Sequence, residues 1–408
     1  MSKYFIFTIV RYAEFSLFAL MMFLLAKSVP ASELGLAAPS FIWITFSAFV
    51  LLGGNQVLVK WYAKESDSEK KSALILYGCG VNFVACAVVY ILLSQVVSHV
   101  FSASVSVIGA GKVVVECMAT INRVANRFQR INLIYLSNIL PLCIMFFVFG
   151  VKSVGDFFLY WSCSIGFAVL VSLLVTTKFI RSEVKRKIAA SLTYIEKNFR
   201  AIFLNGVKLA FIGFFSPLVG SLDKLMLSYT AFDKSLLGSM QLADNIASAV
   251  ALGLGSAVFI VTPKYIKELH ENKITIDQIN KFGYLFLLFI LVFVNVSIFL
   301  SKGALLYFFP EYTLFYPLMV QITTKILISG LFMYNMIALA FSDENFYIKA
   351  LAVVLPAHIL LVAIEINILD EQRLFYVVPI TGVLTLLVIH MVTYFRSKNI
   401  QITPSATV

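Results

Sequence analysis

The residues of this chain that could do chemistry are charged side chains set inside long apolar runs. Arg11 and Glu14 stand three apart, and Lys112 and Glu116 four apart, so each pair shares one face of a helix. Asp223 and Lys224 are adjacent and must point to different faces. Asp244 shares a polar face with Gln241, Asn245 and Ser248, and Lys325 shares another with Gln321 and Ser329. Lys208 lies early in its run. In a membrane helix a mid-span charge costs roughly 2.5 to 3.5 kcal/mol to insert, so each needs a partner or a wet cavity. Lys325 has no acid within a helical turn, and a water-filled cavity is its expected setting. An ion pair across helices, to Asp244 or Glu116, is the alternative. For Arg11–Glu14 and Lys112–Glu116, local neutralisation competes with cavity lining.

Together these cations exceed what their local acids neutralise, and fixed positive charge in a cavity favours an anion. The expected substrate-binding set is Arg11, Lys112, Lys208, Lys224, Lys325 and Gln321. The expected ion-coupling set is Asp223, Asp244, Asn245, Glu14 and Glu116. A carboxylate in a cavity that opens alternately to each side sees two dielectrics, so its protonation can differ between states. A sodium ion could replace the proton, with Asn245 and Ser248 adding oxygen ligands. Lys208, near a helix end, can also snorkel to the surface.

The elements that must position these residues are membrane helices. Apolar residues make up 60% of the 408 and charged residues 13%. A span of the hydrocarbon layer takes ~20 apolar residues at 1.5 Å rise per residue. By that length, about twelve spans are predicted, at 4–27, 35–61, 73–98, 104–122, 132–151, 156–177, 202–229, 236–262, 281–301, 313–341, 347–369 and 373–395. Lys112 and Glu116 make 104–122 the weakest of them. The alternating polarity of a membrane β-barrel is not present. Pro141, Pro217, Pro317 and Pro356 fall inside spans, where proline can kink a helix or act as a hinge.

Basic residues set the orientation. With the N-terminus inside, 22 of the 32 Lys and Arg lie in cytoplasmic segments and five outside, at Lys27, Lys152, Lys234, Lys302 and Arg373. The formal charge of +11 is therefore a topology signal and not a nucleic-acid footprint. An even number of spans puts both termini in the cytoplasm. The expected domains are a six-helix lobe at 1–177, a basic connector at 178–201, a second six-helix lobe at 202–395 and a cytoplasmic tail at 396–408. In the connector, Ile180, Val184, Ile188, Leu192 and Ile195 have the spacing of an amphipathic surface helix, and Lys185, Arg186 and Lys187 face anionic headgroups.

The halves repeat faintly at an offset of about 203 residues. Ser32-x-Leu34-Gly35 falls on Ser235-x-Leu237-Gly238, and Tyr62-x-Lys64-Glu65 on Tyr265-x-Lys267-Glu268. Six spans per half keep both halves in one orientation, the arrangement of parallel repeats related by an axis along the membrane normal. The fold expected is an all-α polytopic membrane protein of two such lobes.

Several chemistries are excluded. No G-x-S-x-G, P-loop, H-E-x-x-H or paired-Asp motif is present. Cys79, Cys86, Cys117, Cys143 and Cys163 lie in apolar runs without metal spacing. His358 and His390 are isolated and expected to be packed, and Glu365 is expected near the outer surface, solvated. No cofactor, metal site or enzymatic activity is expected, and a coupled or downhill carrier is left. The outer loops are too short to hold an acceptor, against the membrane polymerases, ligases and glycosyltransferases that work on lipid-linked sugars.

Leu24-Leu25-Ala26, Glu33-Leu34-Gly35, Lys60-Trp61-Tyr62-Ala63-Lys64, Leu222-Asp223-Lys224-Leu225-Met226-Leu227, Leu237-Gly238 and Pro263-Lys264-Tyr265, in this order and spacing, carry a family likeness. The chain resembles the polysaccharide repeat-unit (O-antigen type) flippases of the multidrug/oligosaccharidyl-lipid/polysaccharide (MOP) exporter superfamily. The resemblance implies two six-helix lobes around a central cavity in the bacterial inner membrane. It implies alternating-access transport of undecaprenyl-diphosphate-linked oligosaccharide from the cytoplasmic to the periplasmic leaflet, coupled to a proton or sodium counter-ion. Membrane lipid and the polymerase of the same pathway are the further partners it implies. It assigns no role to Lys112 or Lys325. A drug or small-molecule exporter of the same superfamily is the alternative.

Overall fold

The computed structural model describes residues 3–47, 53–62, 65–184, 187–341 and 344–400. Ala63, Lys64, Lys185, Arg186 and tail residues 401–408 of the sequence readings lie outside the described residues, as do the side chains of Pro263 and Lys264. Fourteen α-helices and one π-helical turn make up the described structure, which contains no strand. In the first half these are α1 (Lys3–Ser28), α2 (Ala31–Ser47), α3 (Gly54–Val57), the π turn (Leu58–Tyr62), α4 (Ser68–Val96), α5 (Ser102–Val124), α6 (Phe128–Phe149) and α7 (Val154–Val184). In the second they are α8 (Ile188–Ser228), α9 (Lys234–His270), α10 (Ile276–Leu300), α11 (Lys302–Phe308), α12 (Phe315–Phe341), α13 (Glu344–Ile368) and α14 (Glu371–Asn399).

Each predicted span has its helix. Ten of the helices are long and apolar enough to cross a membrane, among the described residues. The remaining two predicted spans correspond to α2 with its continuation and to α9. α2 has 17 described residues, and α9 carries polar side chains through its first half. The second span is not the continuous helix expected over 35–61. Gly53 has φ +79°, a left-handed conformation that an L side chain adopts only with strain, and it breaks the segment ahead of α3 and the π turn. The connector also differs from a separate surface helix. α7 continues to Val184, and α8 begins at Ile188 and runs on into the span. Pro317 stands in the first turn of α12, where no backbone hydrogen bond is lost, so it is not a mid-span hinge. Pro141, Pro217 and Pro356 do lie inside α6, α8 and α13.

Short turns between long helices make successive helices antiparallel. The packing then repeats pair by pair between halves. α1 packs on α6, α4 on α5, α5 on α7 and α6 on α7; their counterparts are α8 on α13, α10 on α12, α12 on α14 and α13 on α14. The lobes meet where α2 packs on α8 and, equivalently, α9 packs on α1, with α2 against α9 at the centre. Met21, Met22 and Leu25 of α1 belong to one core cluster with Leu242, Ala243 and Ala247 of α9 and Ile322 and Ile326 of α12. The outer surface is the reverse of a soluble protein's. Phe282, Phe289 and Phe293 of α10 and Leu174 of α7 are exposed, as a lipid-facing surface requires. The protein is a multi-pass membrane protein.

Candidate functional site

Two clusters of buried charge lie inside the helical bundle, one in each lobe. In the second lobe Asp244 of α9 is the hub. Its Oδ1 lies 2.7 Å from Lys224 Nζ of α8 and 3.0 Å from Lys325 Nζ of α12. Lys224 is fully buried, whereas the side chains of Lys325 and Asp244 retain 12% and 11% of their exposure. Asp244 and Lys325 each stand ten residues after the first residue of their helices, about 15 Å along the axis and well inside the bundle. That position explains the pairing, since an unpaired charge there has no water to solvate it.

Lys325 has no acid on its own helix to pair with, and of the two settings open to it the structure forms the ion pair across helices, to Asp244 of α9. The expected excess of cations also disappears in this lobe. Lys224 and Lys325 are matched by Asp244 and Asp223, all four within electrostatic reach of one another. Asp223 is buried but makes no ion pair among the described residues. Its carboxylate accepts a hydrogen bond from the backbone N–H of Lys224 at 2.7 Å and faces Gly382 of α14. Adjacent residues point apart on a helix, so Lys224 turns to α9 and Asp223 to α14.

Around this hub, Gln241 Nε2 donates to Asn245 Oδ1 at 3.0 Å, on the polar face read from the sequence. Gln321, one turn before Lys325, is buried with its Oε1 lacking a protein partner. Lys208 is brought to neither cluster; its Nζ donates to Asn345 Oδ1 of α13 at 3.1 Å.

In the first lobe, Arg11 Nη1 lies 2.6 Å from Glu14 Oε2, one turn along α1. The Arg11 guanidinium also sits 3.7 Å from the centre of the Tyr135 ring of α6. Tyr135 in turn donates its hydroxyl to Glu116 Oε2 of α5 at 3.3 Å. Lys112 and Glu116 do not form the ion pair that their spacing allows. Lys112 Nζ instead lies 4.8 Å over the Trp161 ring of α7, within cation–π range. Far from being a weak span, α5 has 67% of its apolar stretch buried, because it packs between α4 and α7 and carries this cluster inward.

Tyr135 and Trp161 are the site residues that sequence reasoning missed. Aromatic residues inside apolar runs look the same whether they face lipid or a buried charge. The same holds for Thr381, whose hydroxyl donates to Glu365 Oε1, so that Glu365 is tied to α14 rather than simply solvated. His358 is buried with Nδ1 3.0 Å from Thr385 Oγ1, and His390 is buried beside Tyr284 and Tyr334. No group of His, Cys, Asp and Glu among the described residues is arranged to hold a metal.

Lys112 and Lys325 have a relationship that their sequence positions hide. α5 and α12 are counterparts in the repeated packing, and each lysine stands ten residues after its helix start. The two lobes therefore present one partly accessible ammonium each at the same depth.

Comparison with solved structures decides the fold. An inward-facing multidrug resistance MATE family transporter of the MOP superfamily aligns over 96% of this chain and 98% of its own, with TM-score 0.56 and 14% identity. The lipid II flippase MurJ, in an inward closed conformation, aligns over 96% of this chain and 90% of its own, with TM-score 0.58 and 13% identity. The Vibrio cholerae MATE transporter VcmN, in its bent form, gives TM-score 0.53 at 14% identity, over 97% of this chain and 96% of its own. The chain has the fold of the MOP superfamily transporters. No protein-family model matches the sequence, and no curated protein matches it significantly. With the MOP fold in place, the pairwise repetition of helix packing is a property of the whole chain, and its two charge clusters occupy equivalent lobes.

Proposed function

We propose that this chain is a flippase that carries an undecaprenyl-diphosphate-linked oligosaccharide, an O-antigen or capsule repeat unit, across the bacterial inner membrane by alternating access. The observation that carries this reading is the pair Lys112 and Lys325, one partly accessible ammonium per lobe at matching depth. A diphosphate offers acceptors to both, whereas a drug cation offers none. Each lysine is held by a partner that a phosphate can displace: Trp161 for Lys112 and a carboxylate shared with Lys224 for Lys325. Charge-assisted bonds to a phosphate offset the loss of those partners. The sugar hydroxyls cannot cross hydrocarbon unaided, because each unpaired one costs a few kcal/mol to bury, so a carrier of this kind must offer them a hydrated path. The MOP fold supports the export function, and MurJ, a lipid II flippase, is a structural neighbour.

Coupling is assigned to Asp223 in preference to Asp244. Asp244 is held by two ammonium groups, while Asp223 is buried without an ion pair among the described residues and is the carboxylate free to take a proton or sodium ion.

Leaflet-resolved measurement tests the function. In a strain lacking this chain, lipid-linked repeat units should accumulate in the cytoplasmic leaflet, and restoring the chain should clear them. Normal appearance of repeat units in the periplasmic leaflet of the deletion strain, together with sensitivity to small cationic drugs, would favour the drug-exporter reading.

A further inference from the structure

At the ends of α10 and α14, away from both charge clusters, Asp277, Lys281, Tyr284, Leu285, Tyr394 and Lys398 line a cavity of about 450 Å³. We propose that this cavity is a binding site for the phosphate headgroup of an anionic glycerophospholipid of the surrounding leaflet. The site is built, not merely populated by loose lysines. Beneath it the buried Asn280 Nδ2 donates to Ser397 Oγ at 2.9 Å, locking the two helices in register. Lys281 and Lys398 are the next residues along each helix, so that one bond sets both ammonium groups on the same cavity. Neither forms an ion pair among the described residues. Asp277 is the single acid of the lining, which leaves the cavity with a net charge of +1.

The floor supplies hydroxyl donors. Tyr284 and Tyr394 pack edge to face at 4.9 Å. The fully buried Tyr334 hydroxyl donates to Tyr284, so the Tyr284 hydroxyl keeps its own hydrogen for an acceptor in the cavity. The Tyr394 hydroxyl has no hydrogen-bond partner among the described residues. Two ammonium groups and two hydroxyl donors against the one carboxylate of Asp277 favour an anionic phosphate head over a cationic one.

The surroundings specify that this phosphate belongs to a lipid. The cavity lies at the first turns of α10 and the last turns of α14, the level of the membrane interface where Tyr and Lys anchor. Beyond it along the membrane-facing surface, Phe282, Phe286 and Phe289 on α10 and Met391 and Phe395 on α14 are exposed. A free phosphate uses none of that surface; the acyl chains of a lipid cover it.

The purified full chain in neutral detergent is titrated with phosphatidylglycerol, phosphatidylcholine and inorganic phosphate, and occupancy is read by native mass spectrometry. Saturable binding of phosphatidylglycerol, at least ten-fold tighter than phosphatidylcholine and not displaced by millimolar phosphate, is expected. Lys281→Gln with Lys398→Gln should weaken it roughly ten-fold or more, since each basic group near a surface contributes about a five-fold factor. Lys398→Gln alone, in an exposed last turn, keeps the test decisive if the double variant misfolds, with a loss of about five-fold. Equal binding of the two lipids, displacement by phosphate alone, or unchanged affinity in the Lys398→Gln protein would overturn the site.

Discussion

Gly35 of α2 and Gly238 of α9 close on each other where the two lobes meet. A Cβ on Gly35 would stand 1.7 Å from the carbonyl oxygen of Lys234, and one on Gly238 would stand 1.9 Å from the carbonyl oxygen of Ala31. The contact is reciprocal, and the two glycines are the pair that the 203-residue repeat superimposes. A residue touching its own counterpart marks the axis that relates the lobes.

Gly35→Ala should therefore force the ends of α2 and α9 apart, because the obstructing atoms are backbone and cannot rotate away. Overpacking of this kind costs about 1–3 kcal/mol, read as a lower melting temperature of the purified protein. Leu34, fully buried beside it, reports the opening. In a background with the five native cysteines replaced, Leu34→Cys should react faster with a maleimide when Gly35→Ala is also present. Unchanged labelling and melting would show that the lobes do not close through these glycines.

Asp244 should matter more to stability than either lysine it holds. Asp244→Asn leaves two ammonium groups without their carboxylate, one fully buried, and breaking a buried pair this way costs about 3–5 kcal/mol. Lys325→Met leaves the Asp244–Lys224 pair intact and should lower the melting temperature less. Adding Lys224→Met to Asp244→Asn should recover part of the loss. Equal melting of the Asp244→Asn and parent proteins would mean the hub carries no structural load.

Transport places a different demand on Lys325. If its ammonium meets a diphosphate, export by Lys325→Arg should exceed export by Lys325→Gln, compared at equal protein level, because charge is retained and geometry is not. The equivalent Lys112→Arg and Lys112→Gln should follow the same order. Full export by Lys325→Gln would remove it from the substrate path.

Asp223→Asn should fold, since Asp223 makes no ion pair to lose among the described residues, yet flipping in reconstituted vesicles should cease to respond to an imposed proton or sodium gradient. A response equal to that of the parent protein would rule out coupling at this carboxylate.

The charge bias of the loops predicts that reporter fusions after Lys71, Arg200 and Lys398 all report the cytoplasm. A periplasmic signal from the fusion after Arg200 would sink the twelve-span topology.

Much of this protein was legible without coordinates, because membrane insertion is read from local composition. Hydrocarbon tolerates no unpaired backbone, so each long apolar run must become a helix. The repeat offset also survives in the sequence, at Gly35 and Gly238, where only glycine permits the approach. What the sequence could not determine is which buried charge meets which. Spacing along α5 offered Lys112 to Glu116, yet helix packing gave Lys112 to Trp161 and Glu116 to Tyr135. For Lys325 the sequence left a water-filled cavity, Asp244 and Glu116 all open, because Asp244 is 81 residues away in the chain and on another helix. Gly53 broke the second span through a backbone angle that apolar composition does not encode. A charge in hydrocarbon demands a partner, which sequence reveals; the partner's identity depends on how helices rotate and pack against one another, which only the tertiary structure decides.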